Sequence, residues 1–131
     1  MLLLLLCGIT GCSGNGGESV PDLGEVTGKI TLDGAPLGNA NVIFEPQVVD
    51  NKSMSRASTA ITSAAGTYNL KYNSDVSGAS IGKHKVIISK MSDNPEEAGL
   101  QLVPTKYNDK SDLSADIVAG ENNFDFDLKS K

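Results

Sequence analysis

From residue 23 onward, apolar side chains return at every second position, in short stretches separated by Gly, Asn, Asp and Pro. An extended strand turns such a stretch into one dry face and one wet face, which a helix of 3.6 residues per turn cannot do. Helical periodicity is absent over the same span, so the pattern predicts an antiparallel all-β protein of short strands. Residues 23–131 have the length of one domain, enough for a real core and too little for two. The net charge of −5 is spread along the chain without a basic block, and Trp is absent. Both features argue against nucleic acid, which calls for clustered Lys and Arg and often for exposed aromatics.

The strands can be placed from the alternation and its interruptions. Val26, Ile30 and Leu32 share a face with Gly28 between them, and Asp33-Gly34 marks a tight turn. Residues 40–45 follow with Val42 and Phe44 inward, closed by Pro46, which cannot donate to a central ladder. Residues 47–53 read as an exposed loop and 56–62 as a strand rich in Ser and Thr. Ala64-Ala65-Gly66 turns the chain into 67–72, where Tyr68, Leu70 and Tyr72 point inward. A second loop, 73–82, precedes the most apolar strand, 83–89, which belongs in the middle of a sheet. Residues 93–99 hold one helical turn, with Asn94 as cap, Pro95 at the first position and Glu97 where a capping-box acid belongs. Residues 104–107 read as a short edge strand. The last two stretches, 113–118 and 122–128, are expected to pair around Gly120-Glu121, with Ile117 facing Phe124, Ala115 facing Phe126 and Leu113 facing Leu128. That register sets Asp116 opposite Asp125 and Ser114 opposite Asp127 on the outer face.

Ahead of the domain stands an apolar run over residues 1–9. It falls short of the roughly 20 residues that cross a bilayer but matches the ~7 to 15 residue core of a cleavable export signal. Ile9-Thr10-Gly11-Cys12 resembles the lipobox of bacterial lipoproteins, in which the cysteine becomes the lipidated first residue of the mature protein. No Lys or Arg precedes the leucines, where an export signal ordinarily carries positive charge. The resemblance implies a signal peptide over 1–11, lipidated Cys12 and a linker over 12–22, and a folded domain over 23–131. It implies a cell-envelope, extracytoplasmic location, with the membrane as partner through Cys12. The linker, nearly free of apolar side chains, is expected to be flexible. A buried strand or short core helix with Cys12 as an interior thiol is the other reading of the same run, and the Gly-rich stretch after it weighs against that. A Cys7–Cys12 disulfide is also conceivable, but cleavage would remove Cys7. Residues 23–131 contain no cysteine, hence no disulfide framework and no Cys-based metal site.

Four strings resemble carboxypeptidase regulatory-like domains, which are transthyretin-like sandwiches: 24–34 (GEVTGKITLDG), Pro36-Leu37 with 40–44 (ANVIF), 65–70 (AGTYNL) and 82–88 (GKHKVII). The ending, 104–108 with 120–128, is similar to that of small bacterial lipoproteins built on this domain. The resemblance implies a Greek-key β-sandwich of seven or eight antiparallel strands. It also implies an accessory or adhesive module with no active site. His84 departs from the pattern, since an inward Tyr or Phe is commoner there.

Candidates for chemistry are few. His84 is the only histidine, and acid–base or nucleophilic work needs a partner that no motif here supplies, so a buried histidine beside Val86 and Ile88 with one hydrogen bond is expected. The hydroxyisourate hydrolase relative of transthyretin needs several histidines, an arginine and a Tyr-Arg-Gly-Ser type C-terminus; this chain has one His, one Arg (Arg56) and ends Leu128-Lys129-Ser130-Lys131. The facing Asp116 and Asp125 would be screened by water and salt, neutralised by Lys83 or Lys85, or joined by calcium, which takes ~6 to 8 oxygens. Residues 108–112 (NDKSD) read as a hydrated turn. Glycan binding would want an exposed ring; Tyr107 is the candidate, unless its hydroxyl ties down a loop. The expectation is therefore a non-enzyme with no catalytic, cofactor or metal residues and with Cys12 as its modified residue. The alternative is a secreted module binding glycan or an envelope protein through loops 47–53 and 73–82.

Overall fold

The computed structural model describes residues 22–47 and 56–130. The expected signal peptide, Cys12 and the linker up to residue 21 lie outside the described residues, as do residues 48–53 of the first loop. Ten strands are present among the described residues: β1 (Leu23–Leu32), β2 (Ala35–Pro36), β3 (Asn41–Pro46), β4 (Ser58–Ile61), β5 (Thr67–Asn69), β6 (Ala79–Ser80), β7 (Gly82–Ser89), β8 (Leu113–Ile117), β9 (Gly120–Asn123) and β10 (Phe126–Leu128). They form two sheets. In the first, β1 carries β2, β5, β6, β9 and β10; the second runs β4-β3-β7-β8. The chain changes sheet after β2, β4, β6 and β8, which makes an all-β Greek-key sandwich. Setting aside the two-residue β2 and β6, and counting β9 with β10 as one interrupted strand, leaves seven principal strands.

The alternation decides what is buried. Val26, Ile30, Val42, Phe44, Tyr68, Leu70, Val86, Ile88, Ala115, Ile117 and Leu128 fill the space between the sheets. Phe44 is the hub, with the rings of Tyr68, Phe124 and Phe126 at 6.2–6.5 Å. As expected, β7 is interior to its sheet, between β3 and β8. Asp33 (φ 53°) and Gly34 (φ 87°) both adopt the left-handed conformation that a two-residue hairpin turn between β1 and β2 demands.

The expected hairpin of 113–118 with 122–128 does not form. β8 lies at the edge of the second sheet, antiparallel to β7, while β9 and β10 run parallel to β1 in the first. Ile117 pairs with Gly82, Ala115 with His84 and Leu113 with Val86, whereas Phe126 and Leu128 pair with Ile30 and Leu32. Period two identifies the buried face of each stretch without naming its neighbour, and both stretches do turn their apolar side inward. Asn122 secures the crossing: its Oδ1 accepts from Val118 N (3.0 Å), and its Nδ2 donates to the carbonyls of Val118 and Glu25 (2.9 Å each).

At 104–107 a 3₁₀ turn, Thr105–Tyr107, replaces the expected edge strand. Asn108 explains it. Its buried Nδ2 donates to the carbonyls of Ile88, Val103 and Pro104 (3.0–3.2 Å), tying the turn to the end of β7. Ser111 likewise donates to the Val86 carbonyl. Residues 108–112 are thus a turn pinned by two buried polar side chains, not merely a hydrated one. The expected helical turn is a 3₁₀ turn, Pro95–Glu97, with Asn94 Oδ1 accepting from Glu96 N.

Candidate functional site

His84 lies on the inward face of β7 and is wholly buried. Its ring packs 5.9 Å from that of Phe44, and its Nε2 sits 2.7 Å from the Ser80 carbonyl. A carbonyl accepts only, so Nε2 carries the proton and, in the neutral ring, Nδ1 presents a lone pair to the core. Nδ1 has no partner among the described residues. A general base needs its lone pair within reach of a substrate proton, and this one is sealed from solvent.

The acidic residues are separated by the topology. Asp116, on β8, stands opposite Lys83, and Ser114 opposite Lys85. Asp125 sits beside β1 in the other sheet, where its Oδ1 accepts from Lys29 N (2.9 Å). Asp127 accepts from the Thr31 hydroxyl (2.7 Å) and lies 3.6 Å from the Lys129 ammonium. The facing Asp116–Asp125 pair therefore does not exist, nor does Ser114 facing Asp127. Among the described residues no cluster of three or more His, Cys, Asp or Glu could hold a metal.

Asp125 has a role the sequence did not suggest. Between β9 and β10 the strand bows over Gly28, where an added Cβ would come within 1.9 Å of the Phe124 carbonyl oxygen. The displaced carbonyl accepts from the Tyr68 hydroxyl (2.6 Å), while the Asp125 carboxylate takes up Lys29 N. Two side chains thereby replace ladder bonds that the bow breaks. Burial first, and then the negative charge of Asp125, push the Tyr68 phenol well above its usual ionisation range.

An open groove of about 1330 Å³ lies where β4 meets the continuation of β5 at the Thr59–Lys71 bridge. Lys29 and Asn69 line it from the first sheet, Ile43 and Ile61 from the second, and Lys71 and Tyr72 from the chain beyond β5, with the Arg56 guanidinium 5.7 Å from the Tyr72 ring centroid. These residues are scattered through the sequence and only folding collects them. Of loop 73–82, Asn73 and Ser74 reach the groove, while the later part returns to the first sheet as β6. Tyr107 takes the tying role: its hydroxyl accepts from Lys129 N (3.0 Å), its ring packs on the core, and the Lys106 ammonium lies 5.2 Å from the ring centroid. No helix among the described residues is long and apolar enough to cross a membrane. Compared with family models, curated proteins and solved structures, the chain gives no significant match.

Proposed function

We propose that this chain is a non-catalytic, lipid-anchored protein of the cell envelope, whose carboxypeptidase regulatory-like (transthyretin-like) sandwich serves a structural or interaction role. The observation that carries the non-catalytic part is the setting of His84, the side chain best suited to acid–base chemistry, which is enclosed between the sheets with a backbone carbonyl as its partner. Anchoring rests on Ile9-Thr10-Gly11-Cys12 and on the start of β1 at Leu23, which leaves a linker of lipoprotein type between the cysteine and the domain. One acyl chain holds a protein only marginally, whereas two or more, at ~0.8 kcal/mol per buried methylene, hold it stably. Metabolic labelling with a radioactive fatty acid is expected to mark the wild-type chain and to be lost on Cys12→Ser; an unlabelled wild type rejects the anchor.

The groove favours a second reading, a secreted module that binds glycan or protein. Lys29, Asn69 and Lys71 beside Ile43 and Ile61 offer hydrogen-bonding groups next to apolar surface. Membrane fractionation unchanged by Cys12→Ser would support attachment through such a partner in place of lipid.

A further inference from the structure

The two sheets end together at the pole where the chain enters the domain. β1 begins there, and the Asp22 carbonyl accepts from Ile81 N (3.3 Å). Gly82 pairs with Ile117; Ile81 immediately precedes the one and Val118 immediately follows the other, so both lie at this end of the second sheet. Both are exposed, Ile81 by 44% and Val118 by 57%, just beyond strands whose inward residues Val86, Ile88, Ala115 and Ile117 are buried. Their neighbours Gly82, Ala119 and Gly120 are small, and the charges nearby, Asp22, Lys83 and Glu121, belong to both signs. The opposite pole carries the turns at Gly34 and Gly66, roughly 30 Å away along the ten residues of β1.

We propose that this pole is a membrane-facing surface, with Ile81 and Val118 resting among lipid headgroups. The inference rests on the anchored reading above and adds an orientation to it. The length of chain ahead of β1 argues for lipid as the occupant. The eleven steps from Cys12 to Leu23 reach at most about 40 Å, so the entry pole is the part of the domain held nearest the acyl chains. Two partly exposed aliphatic side chains bind a bilayer weakly from free solution. A short tether supplies a millimolar effective concentration, at which a weak contact is populated. The mixed charges suit a zwitterionic surface better than an anionic one.

The test uses the full chain, purified from membranes with its native N-terminus, in phosphatidylcholine nanodiscs containing headgroup-nitroxide lipid. Mass spectrometry first establishes whether Cys12 is acylated. The amide signals of Ile81 and Val118 are expected to lose intensity at least about threefold more than those of Gly34 and Gly66, since an interfacial contact lies within about 10 Å of the headgroups. The exposed double variant Ile81→Ser/Val118→Ser, still acylated and folded, is expected to lose that contrast. Acylated protein with uniform attenuation, or with the stronger loss at the far pole, overturns the inference and leaves the anchor standing. Unacylated Cys12 overturns both.

Discussion

Tyr68 shows how one side chain can hold a fold together where its backbone ladder fails. The Phe124 carbonyl is turned inward over Gly28, and among the described residues the Tyr68 hydroxyl is its donor. Tyr68→Phe is expected to lower stability by about 1–2 kcal/mol in urea denaturation at neutral pH, because the carbonyl stays half-buried without a donor. The same phenol makes the fold sensitive to alkali. In the unfolded chain it ionises near pH 10, whereas in the folded state burial and Asp125 hold the proton on to higher pH. Its contribution is therefore complete below about pH 10 and is lost as the pH rises through the folded value. Thermal melts of Tyr68→Phe across that window are expected to fall less steeply with pH than those of the wild type.

At the level of the element, inward faces were legible and partners were not. Ala115, Ile117 and Leu128 were expected inside and are inside, yet β8 and β10 occupy different sheets. A hairpin and a crossover bury the same alternating residues, and the Asn122 bonds that stabilise the crossover involve a residue that reads only as the start of the last strand. Asn108 was hidden for a similar reason. An Asn in a run of Asn, Asp, Lys and Ser signals hydration, and nothing local reveals that three carbonyls converge on it. Asn108→Ala is expected to cost about 2–3 kcal/mol by calorimetry, since those carbonyls lose a shared donor in a setting with little water. Of the groove at the β4–β5 junction, only the Asn73–Ser74 end of loop 73–82 was legible. The groove's lining is drawn from within residues 27–29, 41–43, 56–63, 67–74 and 123–125, with Ser89, which no sequence window spans together.

For the whole molecule, the decisive pairing is between the two ends of the described chain. β1 is flanked by β9 and β10 along nearly its full length, in parallel and with the same offset throughout, from Gly24 opposite Gly120 to Leu32 opposite Leu128. Removing residues 120–131 strips β1 of a neighbour, takes Leu128 and half the aromatic cluster from the core, and leaves the Tyr68 hydroxyl without its acceptor. The truncated chain is expected to be unfolded, with the cooperative melt seen by circular dichroism abolished.

That end-to-end closure also sets the moment at which the domain becomes a solid body. Non-local pairings form only once both partners exist, and the strand that completes the first sheet follows every other described strand in the chain. Until then the nascent chain stays threadable, the state in which a polypeptide passes through a narrow protein-conducting channel.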